Sequence, residues 1–366
     1  MTDEVKPLTS IRGVAACLVA VYHFHQRDAI AWVPLANLVR RGYFWVDLFF
    51  VLSGFVMAMT YGAMFTARYD CRAHRDFLLK RIARIYPLYL AVTLAVSLYT
   101  LAVYHGYQGV HRPGVNLAHP LLAHVTNLLM IQAWGFGSSI GGPTWTISTE
   151  WAAYLIFPPL LALALYRGAA AAWLTGLSAA LVLWYVGTHV EAGQNVRNGQ
   201  LDLFHCHDAA AVLRCVAGFS IGLLAFRLQG VAAARALLGR DAVCLGLFLA
   251  LLAGMALKID DLVLYPLLPL LVISLASVEG CAKTLFSAPP LYALGVLSYA
   301  IYLVHDHFGV LLEQFDLRLP HYLPAALAPW VAAAITYGGV LATAMLSYRF
   351  IEKPWRGRLR RAFATG

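Results

Sequence analysis

The sequence predicts an all-α, polytopic membrane helix bundle of about ten transmembrane helices, with both termini in the cytoplasm. Three observations predict it. Of the 366 residues, 61% are hydrophobic and 12% charged, and the mean hydropathy is +0.69, so polar side chains are too few to cover a water-facing globule. Apolar runs near the length of a membrane crossing recur along the chain, interrupted by charge, Gly and Pro. Lys and Arg gather in alternate connections: with a cytoplasmic N-terminus, about 19 of the 27 face the cytoplasm and about seven the outside, with Arg214 inside a run.

The runs lie at 11–25, 43–61, 85–105, 145–166, 170–188, 209–228, 241–257, 262–278, 290–311 and 322–348. Residues 121–134 are apolar but short, and Gly135, Gly137, Gly141, Gly142 and Pro143 follow. This segment suits a re-entrant or interfacial piece. As a crossing it would invert every later loop and put the basic residues 227–240 and the tail outside. Stretches without apolar character are too short for a second core, so 1–366 reads as one membrane domain with a basic cytoplasmic tail at 349–366.

The net charge of +9 is explained by positive-inside bias, and no soluble domain is expected to present a basic face to nucleic acid. Residues 1–9 carry acidic groups, and no convincing cleavage site follows, so the first helix is expected to be retained. Cys17, Cys71, Cys206, Cys215, Cys244 and Cys281 are scattered, which suggests neither a disulfide frame nor a zinc site. His205-Cys206-His207-Asp208 and His305-Asp306-His307 each lack a complete spaced ligand set, and no metal is expected.

Ionisable residues inside the membrane mark functional candidates, because each needs a partner or a watery cavity. Arg12 and His23 share the first run. Eleven positions apart, they fall within roughly 20° on one helix face and about 16 Å apart in depth. One extended ligand could touch both, with a phosphate at Arg12 and a general base at His23. Taken singly, Arg12 could snorkel to headgroups and His23 could be a satisfied core histidine.

Asp47, in the second run, could orient the His23 imidazole or pair with Arg40 or Arg41. Lys80, Arg81 and Arg84 open the third run just before Tyr86, and Arg81 and Arg84 share a face that could grip phosphates or anchor the helix. Glu150 follows the Gly-rich stretch, as an acid/base group or a helix-end cap.

Arg12-Gly13-Val14-Ala15-Ala16 with His23, Val46-Asp47 through Ser53-Gly54-Phe55, Arg81-x-x-Arg84-Ile85-Tyr86-Pro87, Trp145-x-x-Ser148-x-Glu150, the stretch Leu294 to His305 including Ser298-Tyr299, and Phe350-Ile351-Glu352-Lys353-Pro354 occur in order over 8–354. Together they resemble the membrane acyltransferase-3 family. That resemblance ties Arg12 and His23 to activity and implies transfer of a short acyl group, acetyl by default, from acyl-CoA to a hydroxyl of a sugar-containing acceptor. It implies acyl-CoA as a cosubstrate, with no permanently bound cofactor, and a lipid-linked or polymerised glycan acceptor in the bacterial cytoplasmic (inner) membrane. Relatives often carry a further hydrolase-like domain after the last helix, and none is expected here.

On this reading Arg12, Lys80, Arg81, Arg84, Tyr86 and Ser53 line the donor path, and His23, Asp47 and Glu150 form the catalytic set. Trp145, Ser148, Tyr299 and His305 face the acceptor. Homo-oligomerisation stays open. The other readings are a proton-coupled transporter or lipid-carrier flippase, which uses the same buried charges, and a non-catalytic scaffold, which gives those charges no purpose.

Overall fold

A computed structural model describes residues 4–25, 32–65, 69–106, 120–135, 137–190, 198–203 and 208–364. Among them the secondary structure is entirely helical. The principal helices are α1 (Lys6–His25), α2 (Trp45–Tyr61), α3 (Cys71–Gly106), α4 (Trp145–Leu155), α5 (Gly168–His189), α6 (Ala210–Gln229), α7 (Asp241–Ala256), α8 (Leu267–Ser277), α9 (Pro289–Val304), α10 (Asp306–Arg318), α11 (Ala328–Ser347) and α12 (Lys353–Ala364).

Among the described residues, six helical segments are long and apolar enough to cross a membrane by themselves, and nine spans result when three bent pairs count as one each. The ten runs expected from sequence exceed these nine by Asp261–Ser277, a shorter apolar helix, and two of the ten, 145–166 and 290–311, are bent. The chain bends by 68° between Gly142–Leu155 and Phe157–Tyr166, where Pro158 and Pro159 lack the N–H groups that would continue the ladder. A 70° bend follows Ala232–Leu238, at Gly239, and a 73° bend separates Pro289–Val304 from Asp306–His321.

Trp173, Leu174, Leu177, Leu181 and Trp184 are exposed along one face of α5. Their spacing of three and four makes that face a continuous apolar stripe, as a lipid-facing helix requires.

Two parallel helix pairs organise the core. Lys6 lies against the Tyr292 ring at 5.7 Å, Arg12 reaches Ser298 at 2.8 Å, and His23 meets His305 at 3.1 Å, so α1 and α9 run in the same direction. They touch backbone to backbone: a Cβ on Gly13 would overlap the Gly295 amide, and one on Gly295 would overlap the Thr9 carbonyl. The second pair is α2 with α6, where Asp47 faces Arg214, Gly222 closes on the Val51 carbonyl, and the Phe55 and Phe226 rings lie 5.7 Å apart.

Parallel partners need an odd number of crossings between them. That condition holds for α2 and α6 when 120–135 turns back, and for α1 and α9 when Asp261–Ser277 crosses as well. The helix Pro120–Leu128 has nine residues, about 13 Å of rise, far short of the hydrocarbon thickness. It runs antiparallel to α3: His124 bonds Ser97 at 3.0 Å, Tyr89 donates to the Asn127 carbonyl at 2.7 Å, and Tyr86 donates to the Leu128 carbonyl at 3.1 Å.

The chain then returns through turns. Gln132 donates to Tyr89 at 3.1 Å and to the Thr144 carbonyl at 3.0 Å. Non-helical backbone at such depth persists only when protein groups satisfy it. The segment is too short to cross as one helix and turns back along α3.

Candidate active site

Arg12 leaves α1 toward α9, donating from Nε to Ser298 Oγ at 2.8 Å and from Nη2 to the Gly295 carbonyl at 3.2 Å. Ser298 donates in turn to that carbonyl at 2.8 Å. Close by, Arg84 of α3 forms an ion pair with Glu352, which lies in the π-turn Tyr348–Glu352 between α11 and α12. The Arg84 guanidinium also sits 6.0 Å above the Tyr299 ring, and Tyr299 donates to the Ile85 carbonyl at 2.6 Å. Arg84, Arg356 and Arg12 all act electrostatically on Glu352, so three cations share one buried carboxylate. Glu352 Oε2 is buried without a hydrogen-bond partner.

On the same face of α1, His23 occupies the other end. Its Nδ1 lies 3.0 Å from the Val19 carbonyl and 3.1 Å from His305 Nε2, and His305 is fully buried. The Tyr22 ring meets the His23 ring edge-on at 5.0 Å, and Tyr22 donates to Asp202 at 3.0 Å. Asp202, in the segment between α5 and α6, also accepts from the Asn198 amide at 3.0 Å. Burial pushes its carboxyl above the ordinary carboxylate range, against the opposing effect of those hydrogen bonds. The shared face expected of Arg12 and His23 is therefore present, and α9 contacts both ends of it.

Asp47 does not orient His23. Both its oxygens are taken by Arg214, from Nε at 2.9 Å and from Nη2 at 2.6 Å, and both side chains are buried. Of the two alternative partners, Arg40 and Arg41, Arg41 instead pairs with Asp261 at 2.6 Å. A buried carboxylate takes the cation that meets it with two parallel bonds, which here is Arg214. The side chain on His23 Nδ1 is that of His305.

Glu150 lies inside α4, beyond its first turn, and makes no end-capping contact. Its Oε1 accepts from Ser53 and from Tyr154 at 2.6 Å. Ser53 thus belongs with Glu150 and Tyr154. Arg81 and Arg84 part company: Arg81 donates to Tyr61 at 2.8 Å and lies 5.9 Å from the Tyr154 ring, beside Glu150. Lys80 is exposed, and Tyr86 is spent on Leu128.

Ser148 accepts from the Ala133 amide at 3.1 Å, and its carbonyl accepts from the Trp134 indole at 3.0 Å, so it pins the re-entrant segment instead of facing an acceptor. Trp145 is buried, 6.4 Å from the Phe50 ring. Tyr299 stands with Arg84, and His305 with His23. His205, Cys206 and His207 lie outside the described residues, and Asp208 accepts from the Ala210 amide at 2.8 Å.

The sequence reading missed Ser298, Glu352, Tyr154 and Asp202 as partners. The signal was available for Arg214, since a charge inside one run calls for an opposite charge inside another, and Asp47 was there. Asp306 was weighed only as a metal ligand, although it follows His305 directly. It faces Gly142, whose φ of +56° and absent Cβ make room for the Asp306 carboxylate.

The profile of a protein family described as an acyltransferase domain matches residues 8–349. Among curated relatives, the exopolysaccharide production protein ExoZ of Rhizobium meliloti (strain 1021) is 30% identical over 87% of this chain and 92% of its own length. Protein 2 in the picA locus of Rhizobium radiobacter is 36% identical over 40% of this chain and 74% of its own. Acyltransferase MdmB of Streptomyces mycarofaciens is 33% identical over 41% of this chain and 38% of its own. No solved structure matches the chain.

Proposed function

This chain belongs to that acyltransferase family, and from that premise we propose that it carries a short acyl group, acetyl by default, from acyl-CoA to a hydroxyl of a sugar-containing acceptor, with His23 as general base. It is a multi-pass membrane acyltransferase, and the name of ExoZ supports an acceptor from exopolysaccharide assembly. The carrying observation is that Arg12 and His23 occupy two ends of one face of α1, each held by the same helix and its C-terminal continuation. That layout suits a long donor with phosphates at one end and a thioester at the other.

On this reading the termini and the positive loops face the cytoplasm of a bacterial inner membrane. Acyl-CoA enters at the end marked by Arg12, Arg84 and Tyr299, and its phosphates compete with Glu352 for Arg84. The pantetheine arm runs along α1 toward His23. The acceptor oxygen attacks the thioester carbonyl carbon while its proton passes to His23 Nε2, and the carbon–sulfur bond breaks. The CoA thiolate then takes the proton from the imidazolium. Positioned proton transfer of this kind contributes about 10²–10⁴-fold in rate. Glu150, held by Ser53 and Tyr154, is a second acid/base group facing the same interior.

The test is purified protein with radiolabelled acetyl-CoA and membrane glycolipids. Acceptor-dependent CoA release that His23→Ala abolishes, with acetyl-CoA binding retained, supports the assignment. Proton-gradient-driven uptake without CoA turnover would replace it with transport.

A further inference from the structure

We infer that His305 is a positioning residue that locks His23 in the tautomer whose Nε2 is free of a proton. The inference rests on His23 being the base of the proposed transfer and concerns how the protein prepares it.

The register comes from the helix crossing. Gly13 and Gly295 bring the two backbones into contact, and ten positions separate Gly13 from His23 just as ten separate Gly295 from His305. In parallel helices equal counts give equal rises, about 15 Å here, and equal rotation. The two imidazoles therefore arrive at one level, with ring centroids 5.0 Å apart.

The proton positions follow from the partners. His305 Nδ1 lies 3.2 Å from the Ile301 carbonyl, which can only accept, so that nitrogen carries the hydrogen. A neutral His305 then presents a lone pair at Nε2. His23 Nδ1 faces two acceptors, this nitrogen at 3.1 Å and the Val19 carbonyl at 3.0 Å. Its hydrogen belongs there, which leaves His23 Nε2 with the lone pair that a base requires.

A doubly protonated His305 would aim an N–H at His23 Nδ1 and oblige that atom to turn its own lone pair on the Val19 carbonyl, while placing a cation in a fully buried site. When His23 takes the acceptor proton, its Nδ1–H still donates to His305, and His305 gains no proton. The neutral imidazole thus fixes the tautomer as a carboxylate does in hydrolytic triads.

The other groups around His23 are accounted for. Tyr22 is on its own helix, Tyr302 on α9, Asp306 on α10 and Asp202 in the segment before α6, the two carboxylates acting electrostatically on the imidazole. Tyr337 of α11 stacks on His25 at 6.0 Å.

The experiment compares His305→Leu and His305→Gln in the full-length protein, using acetyl-CoA with membrane glycolipids. Gln can place a carbonyl oxygen where Nε2 stood and accept from His23 Nδ1–H, whereas Leu cannot. The expected result is a kcat loss on the order of 10²-fold for Leu, with unchanged KM for acetyl-CoA and a displaced acid limb of the pH–rate profile. Gln should restore most of kcat and the position of the limb. Retained acetyl-CoA binding shows that each variant is folded.

Wild-type kcat and pH profile in His305→Leu, or a Gln variant as impaired as Leu, overturns the inference. If His23→Ala, measured alongside, is inactive while His305→Leu is unimpaired, only the role of His305 falls. If His23→Ala itself turns over normally, the base assignment falls and this inference with it.

Discussion

Asp47 and Arg214 close a two-point ion pair between α2 and α6, with bonds of 2.9 and 2.6 Å and both side chains buried. Each charge satisfies the other where lipid and packed side chains leave no water to do so. The pair consequently belongs to assembly of the bundle, four residues along α2 from Val51, where Gly222 of α6 closes on the backbone.

Removing either partner leaves an uncompensated buried charge, so Asp47→Ala and Arg214→Ala should each destabilise the folded protein by roughly 3–5 kcal/mol. Replacing both with apolar residues of similar volume should recover most of that loss. Thermal unfolding in detergent micelles checks this. Single and double variants with equal losses would remove the pairing as the source of stability, while loss of turnover at unchanged stability would return Asp47 to the catalytic set.

At the other end of α1, Arg12→Ala should weaken acetyl-CoA binding by about 10- to 150-fold, the equivalent of a charge-assisted phosphate contact of roughly 1.5–3 kcal/mol. Arg84→Ala should weaken it less, because Glu352 already offsets the Arg84 charge. Glu352→Gln frees Arg84 for a phosphate and should tighten binding. Calorimetric Kd values for the three variants decide the matter. An unchanged Kd in Glu352→Gln would mean that Arg84 serves the fold and receives no donor phosphate.

Gly13→Ala tests the helix crossing itself. The new methyl would meet the Gly295 and Leu294 backbones, which cannot turn aside as a side chain can, so α1 and α9 must separate. A shift of about 1 Å at a reacting centre can cost 10²-fold, and turnover should fall by about that factor while the protein still inserts. Gly13→Ala with wild-type kcat would show that the His23–His305 register tolerates the displacement.

The helices were legible because composition and apolar run length report the solvent directly, and the same measure marked 121–134 as short of a full crossing. Arg12 and His23 were legible for a related reason: helix periodicity puts them on one face without knowledge of any other element. What the sequence withheld was the partner of each charge. Asp47 could have met His23, Arg40, Arg41 or Arg214, and only the packing of α2 on α6 selects the last. The partners of Ser148 and Ser53 were withheld for the same reason, since a hydroxyl in an apolar run shows that it needs a partner but not which group will supply one. The breaks near Pro158 and Gly239 were signalled by residue type, whereas the bend at His305-Asp306 contains neither Pro nor Gly and had no such sign.

The donor route depends on which side of the membrane the Arg12 end faces, and accessible positions at both ends test it. Tyr322 and Leu257 are 83% and 70% exposed and lie at the end of the bundle reached by His23. Tyr69, 65% exposed, and Glu279, with an 80% exposed side chain, lie at the Arg12 end. The positive-inside bias assigns the first pair to the outside and the second to the cytoplasm. Single cysteines at these four positions, in a background with the six native cysteines replaced, should react differently with an impermeant thiol reagent added to intact cells. Labelling at 257 and 322, with labelling at 69 and 279 only after the cells are opened, is the expected outcome. The reverse pattern would put Arg12 and Arg84 outside, beyond the reach of cytoplasmic acyl-CoA, and the donor would then have to enter from the His23 end.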